Sequence, residues 1–443
     1  MSFTSPVFLF AFLPLTVIVY QLARSTKLKN AVWIAAGLLF YAFGALRHLP
    51  LLLGSCLLHY GAGRYLMAQK KARRAVLLSC VALDLAVLAF YKVRGALPLG
   101  ISFYTFQAIS YVADTYKNPA DGTKNLREAL QYLTFFPQLT AGPFLKFSAL
   151  RPYLDRRETT WEKNAQGVRR FVCGLCKKVL LSTAAAKLAD AMFSLASIDA
   201  LGAWTGALGY CLQLYFDFSG YTDMALGLSL CFGIRLPENF NSPYLAVSVT
   251  DFWRRWHISL SGWFRDYVYI PLGGCSRARQ VLNLFAVWSL TGIWHGANWT
   301  FLAWGLWFFV LLTAEKLWLG KALSRLPRVF GHVYALLAVL IGWIFFRADT
   351  IGQAFSFIRY MFVPHSAVVL MERYMNRKLW MFLAAALLVC GPVQWFWMKW
   401  KGRVLAQDGS VTVTSWIGYM AILWFSILLL VNNTYNPFIY FRF

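Results

Sequence analysis

Apolar runs of membrane length recur along this chain, separated by short loops in which the basic residues collect. That alternation constrains the fold more than any other feature. A bilayer's hydrocarbon core is ~30 Å thick, and about 20 consecutive apolar residues in helical form cross it. Lipid offers no partner for backbone N–H and C=O groups, so a run of this length must be helical to satisfy them. The first runs cover Pro6 to Ala23, Ala31 to Leu46, Leu49 to Gly63 and Ala75 to Tyr91. Later ones lie at Val179 to Ser194, Ala203 to Phe216, Val281 to Thr313, Val333 to Phe346, Leu379 to Phe396 and Val413 to Val431. Hydrophobic residues make up 59% of the chain and charged ones only 14%, which excludes a soluble globular protein. The expected fold is an all-α polytopic membrane protein of about 10–12 membrane segments. No long polar insertion interrupts it, so residues 1–443 read as a single membrane domain.

The 43 basic and 18 acidic residues give a net charge of +25. In a soluble protein this would point to nucleic acid, but here the basic residues follow the positive-inside pattern. Arg24, Lys27 and Lys29 follow the first run, and Arg64, Lys70, Lys71, Arg73 and Arg74 follow the third. Two spans separate these loops, so both face the cytoplasm and the N-terminus lies outside. No nucleic-acid partner is expected; the partner of the surface is membrane lipid. The opening run lacks a basic leader and a small-residue cleavage site, so it reads as a retained span. The eight cysteines lie mostly in apolar runs, and the Cys173-x-x-Cys176 pair has no second pair or histidine beside it. They imply neither a disulfide framework nor a metal site.

Two stretches break the pattern. PLGISFYTFQAISYVADTY carries Pro98, Gly100 and several hydroxyls, and YLTFFPQLTAGPFLKF carries Pro137, Gly142 and Pro143. Both read as bent or re-entrant segments, which are tolerated at membrane depth only where protein or a water-filled cavity covers the freed backbone. Asp84 lies in a span, and Asp217, Asp223 and Glu238 lie among Tyr, Ser and Gly; these acids read equally as structural pairs or as functional groups.

The chemistry concentrates in Asp251–Thr300, which opens DFWRRWHISLSGWFRDYVYIPLGG and closes SLTGIWHGANWT. From Val249 to Tyr269 the aromatic and apolar residues recur at three- and four-residue spacing, as in an amphipathic helix lying in the interface, with His257 on it. His295 falls inside an apolar run, where a polar titratable group is costly and therefore marks function by default. Gly292 and Gly296 leave room beside it for a helix or a ligand, and Asn298 follows one turn on, on the same helical face.

A buried neutral imidazole is a proton acceptor, which suits acyl transfer from a thioester to a hydroxyl. His295 fits the base; Asn298 or His257 fits an orienting or oxyanion-donating role. Arg254, Arg255 and Arg265 fit the phosphates of an anionic carrier such as coenzyme A. No G-x-S-x-G, H-E-x-x-H or Walker loop is present, so soluble-type hydrolysis and ATP-driven pumping have no support.

These residues carry a resemblance. SFYTFQAISYVADTYK, FFPQLTAGPFLKF, YFDFSGYTDMALG, LPENFNSPYLAVSVTDFWRRWH, LTGIWHGANWT and the closing PFIYFRF resemble the membrane-bound O-acyltransferase family, in its alginate O-acetylase-like branch, over nearly the whole chain. The resemblance implies bent helices around a central tunnel, an invariant histidine matching His295 and a second functional position matching His257. It implies acetyl-CoA as a cytoplasmic donor substrate with no tightly bound cofactor, and an inner-membrane location. Its partners would be a periplasmic SGNH-type acetyltransferase and the proteins of polysaccharide synthesis and export. Residues 432–443 form an aromatic tail similar to the end of a small peptide in the teichoic-acid D-alanylation machinery. By that likeness Tyr440 would enter the tunnel as an acyl relay. The rivals are acylation of a cell-wall polymer or lipid, a plain aromatic anchor for the tail, and a transporter without chemistry.

Overall fold

The computed structural model describes residues 1–195, 197–274, 276, 279–363, 377–391 and 413–432. Regular structure among them is helical, apart from one isolated antiparallel bridge between Phe240 and Trp256. Among the described residues, four continuous stretches are long and apolar enough to cross a membrane: Thr26–Ala68, Arg73–Val93, Trp299–Ser324 and Arg328–Arg347. Shorter apolar helices cover Phe8–Leu22, Trp380–Cys390 and Trp416–Val431. The chain packs as two compact units, Met1–Leu175 with Tyr221–Glu238, and Cys176–Gly220 with the described residues from Asn239 onward.

In the first unit, α1 (Leu13–Leu22) leads to α2 (Thr26–Ala45), whose N-terminus is capped by Ser25 accepting from the Leu28 N–H. The turn Leu46–His48 then separates α2 from α3 (Leu49–Ala68), and Ala45 leaves the helical region there (φ −157°, ψ 48°). The 43-residue stretch is therefore two helices of 20 residues each, each long enough to span. On α4 (Arg73–Val93), Asp84 meets His59 of α3, with Nε2 and Oδ2 2.8 Å apart. His59 Nδ1 lies 2.7 Å from the Ser55 carbonyl. A carbonyl only accepts, so Nδ1 is the donor in that contact.

The two irregular stretches part company. Ile101–Lys117 forms one uninterrupted helix, α5, which corrects the bent reading. Pro98 and Gly100 precede it rather than interrupt it, and Gly100 adopts φ +68° where the Leu139 carbonyl lies too close for a Cβ. Two of its hydroxyls are satisfied within the helix: Ser110 donates to the Gln107 carbonyl at 2.7 Å and Thr115 to the Tyr111 carbonyl at 2.8 Å. The second stretch is broken as expected, into α6 (Leu126–Thr134), α7 (Phe136–Leu139) and α8 (Phe147–Asp155), with Pro137 opening α7.

α9 (Trp161–Cys176) brings Arg170 against Asp223 and Glu238, both from the acidic YFDFSG…ENF region; Nε lies 3.0 Å from Asp223 Oδ1, and both terminal nitrogens also reach Glu238. α10 (Thr183–Phe193) is followed by α11 (Ala200–Cys231), a single helix of 32 residues where the sequence pattern gives an apolar segment and a separate polar one. Asp217 on α11 pairs with Lys178, and both side chains are buried. The acids of this region are thus engaged as ion pairs.

Removing one partner of a buried pair leaves an uncompensated charge, at a cost of about 3–5 kcal/mol. Lys178→Met alone is expected to lower the thermal midpoint of the detergent-purified protein sharply. Lys178→Met combined with Asp217→Leu should recover most of the loss, because an apolar pair replaces an ionic one; a double variant as unstable as the single would show that the pair does more than neutralise itself.

Candidate active site

The segment carrying His257 is two short helices, α12 (Val249–Arg255) and α13 (Ile258–Phe264), followed by a wider turn over Arg265–Tyr269. This corrects the single interfacial helix: Trp256, His257, Leu260, Trp263 and Phe264 are all buried. The break sits at His257, whose φ of 45° and ψ of 52° are left-handed, a conformation that costs a non-glycine residue free energy. Asn239 stabilises it. Its carbonyl accepts from Ile258 N–H at 3.0 Å, and its side-chain Oδ1 accepts from the Ser259 N–H at 3.1 Å and hydroxyl at 2.9 Å.

Those two donors identify the side-chain atom as oxygen rather than nitrogen. Because His257 Nδ1 lies 3.2 Å from the same oxygen, Nδ1 must donate. In the neutral ring the lone pair is then on Nε2, the atom that would take a proton. His257 lies outside the four spanning stretches, and burial pushes its pKa down to about 3. Asn239 is a partner of the candidate His257 that motif reading passes over, because nothing in the spacing of ENFNSPY ties it to a histidine 18 positions on.

The far end of α12 is held by Glu315, whose carboxylate accepts from the Val249 and Thr250 N–H groups at 2.6 and 2.9 Å. A carboxylate at a helix N-terminus also meets the positive end of its dipole. Glu315 opens a wider-than-α turn, Glu315–Leu319, that follows α15 (Trp299–Ala314).

His295 is the last residue of α14 (Gln280–His295), which packs along α15 after a three-residue connection, so the apolar run is two helices. Gly292 and Gly305 permit the contact: a Cβ on Gly292 would lie 2.6 Å from the Phe301 carbonyl oxygen, and none fits between Gly305 and the Trp288 carbonyl. The space beside His295 thus serves a helix. The imidazole is buried among Trp294, Trp304 and Phe346, with ring centroids 4.6, 5.0 and 5.0 Å away. Trp304 stacks on Trp343, and Trp343 meets Trp256, the neighbour of His257. A continuous series of ring contacts therefore joins the two histidine segments.

The other candidates sit differently. Asn298 is not one helical turn beyond His295, because the helix ends at His295. It caps α15 instead, accepting from Thr300 N–H at 3.3 Å and donating to the Asp349 carbonyl at 2.7 Å. Arg255 binds Asp251 at 2.8 Å and Arg265 binds Asp266 at 2.8 Å, while Arg254 is exposed. Tyr440 lies outside the described residues.

Residues 115–345 match the model of MBOAT, the membrane-bound O-acyltransferase family. The chain belongs to that family and is a multi-pass membrane O-acyltransferase. It is 39% identical to the probable alginate O-acetylase of Azotobacter vinelandii, over 82% of this chain and 78% of that one. The corresponding Pseudomonas aeruginosa protein is 40% identical, over 82% and 75%. A peptidoglycan O-acetyltransferase of Helicobacter pylori is 35% identical, over 81% and 79%.

Two outcomes follow from the His257 geometry. Asn239→Ala removes the acceptor that sets the tautomer, and should lower kcat by roughly 10²-fold, within the range an oriented general base contributes; unchanged kcat would remove His257 from the chemistry. Because the folded-state pKa of His257 lies below the unfolded value of 6.5, the unfolded chain binds more protons between pH 6.5 and 3. Stability is lost as pH falls through that window, and His257→Gln should flatten the fall in thermal midpoint measured across it.

Proposed function

We propose that this enzyme moves acetyl groups from acetyl-CoA on the cytoplasmic side of the inner membrane toward an exported polysaccharide, with alginate as the first substrate. The observation that carries the reading is the Asn239–His257 contact. It supports a neutral histidine with a defined basic nitrogen, in a buried aromatic surround, on a segment of a chain 39–40% identical to probable alginate O-acetylases.

In the transfer, an acceptor hydroxyl attacks the thioester carbonyl while histidine removes its proton. The carbon–sulfur bond breaks, the thiolate of coenzyme A leaves, and the proton passes from the imidazolium to that sulfur. The products are an O-acetyl ester and free coenzyme A. His295 and His257 are the two bases available for this step. The roles of Arg254, Arg255 and Arg265 toward the donor's phosphates are weakened by the acidic partners of the last two, and Arg254 is the member best placed to meet an anion. The Tyr440 phenol is the proposed first acceptor. Its aryl ester is activated, and a periplasmic SGNH-type acetyltransferase would pass the acetyl group to the polymer.

A second reading, acetylation of peptidoglycan, is favoured by the Helicobacter pylori match, which covers as much of this chain. Purified protein given acetyl-labelled coenzyme A separates the possibilities. Label on the wild-type chain that disappears in both His295→Ala and Tyr440→Phe is the expected result. Retention in Tyr440→Phe would move the acceptor elsewhere; label on neither the wild-type protein nor an added polymer would remove the acetyltransfer reading. Supplying alginate or peptidoglycan with the periplasmic enzyme then distinguishes the polymers.

A further inference from the structure

The N-terminal ends of α2 and α6 and the C-terminal end of α8, all within the first unit, enclose a cleft of about 660 Å³. Lys27, Arg127 and Asp155 stand on its rim, each exposed and each within two residues of a helix end. Asn30 ties the rim together by donating to the Leu154 carbonyl at 3.2 Å. From there α2 and α6 run inward side by side, close enough at their far ends that no Cβ fits between Gly37 and the Thr134 carbonyl.

Below the rim, one face of α2 lines the cleft with Ala31, Ile34, Ala35 and Leu38. The rise from Lys27 to Leu38 is about 17 Å. That is roughly half of a ~30 Å hydrocarbon core, the depth of one leaflet. Between the charged rim and this apolar wall lies Gln131, one turn of α6 below Arg127. Its side chain is 1% exposed, and its amide Nε2 has no hydrogen-bond partner among the described residues. A buried donor in that state is costly unless something else in the cleft accepts from it.

We propose that this cleft binds one phosphatidylethanolamine molecule from the leaflet on the side of the Arg24–Lys29 cluster. Each chemical level of that lipid has a counterpart at the matching depth. The phosphate meets Lys27 and Arg127, an acyl ester carbonyl accepts from Gln131 Nε2, and an acyl chain lies along the small and branched residues of α2. The headgroup is chosen by the acid. Glu128 is already engaged by the Thr123 hydroxyl at 2.6 Å and the Asn125 amide at 3.4 Å. Asp155 remains for the ammonium, whereas the glycerol of phosphatidylglycerol would leave it facing an uncharged group. The site stands apart from the acyl-transfer reading, because occupancy can be measured without turnover.

The test is native mass spectrometry of the full chain in mild detergent, delipidated and then given mixed micelles of phosphatidylethanolamine or phosphatidylglycerol. One phosphatidylethanolamine per chain should be retained in preference to phosphatidylglycerol. Ala35→Trp fills the groove from an exposed position, so folding is spared, and should cut retention at least about ten-fold. Leu39→Trp, on the adjoining exposed face, should leave it unchanged. Gln131→Leu, which keeps the volume and removes the donor, should weaken retention, and Asp155→Asn should erase the preference between headgroups. Equal retention by the two tryptophan variants would overturn the site, and equal retention of both lipids by the wild-type protein would overturn the assigned headgroup.

Discussion

A helix that breaks where water does not reach must find partners for the backbone groups it releases, and the placement of His257 depends on how that demand is met. Asn239 answers it with two oxygens, one from the main chain and one from the side chain, that together take the donors at the start of α13. Asn241 N–H closes the other side on the Arg255 carbonyl. Seven residues are too few for a helix to persist unaided, so α12 relies on its ends. Glu315 fixes one and the Phe240–Trp256 bridge the other. Loss of either attachment lets the helix shift, and the histidine at its end would shift with it.

Packing contributes strongly around His295. Its helix meets α15 at glycine-sized separation, and its ring lies against three aromatic rings. Within lipid, helix association rests on close packing rather than on the exclusion of water, so the small residues at Gly292 and Gly305 determine how near the two helices come. The stack from Trp304 through Trp343 to Trp256 then makes the two arrangements interdependent. Aromatic side chains lose little rotamer freedom on packing and transmit displacement with little slack. The two histidines are thereby joined through one continuous series of ring contacts.

The helical membrane architecture was legible because apolar length and loop charge act locally and additively. Both turns and spans from α2 to α4 follow the runs in the sequence closely. Proline position was a weaker guide: Pro137 breaks its segment, while Pro98 only precedes one, and periodicity cannot tell these apart. The amphipathic pattern from Val249 to Tyr269 misled for a related reason. Three- and four-residue spacing is shared by a helix on a surface and by two short helices packed in a core, and the choice is made by Asn239, Glu315 and the tryptophans of α14, α15 and α16 (Arg328–Arg347), all remote in sequence. His295 was legible as a titratable residue inside an apolar run, and His257 as a histidine on an amphipathic, Trp- and Arg-rich segment. Asn239 was not, since an asparagine in a loop reads as a turn former until the fold brings it to its partner.

The kind of partner separates structural polar groups from candidate chemical ones here. Asp84, Asp217, Asp223 and Glu315 all lie in settings where an acid would signal function, yet each is matched to a cation, a histidine or a helix terminus. A charged partner stabilises one protonation state and removes the group from use as an acid or base at constant pH. His59 belongs with these, because Asp84 is its partner at 2.8 Å. His257 faces a neutral amide oxygen, which dictates where its proton sits without supplying a charge to hold the ring protonated. A general base has to gain and release a proton within one turnover; the neutral pairing leaves the His257 lone pair in place, and burial, which pushes its pKa down to about 3, means that the proton is held only while a developing negative charge stands beside the ring.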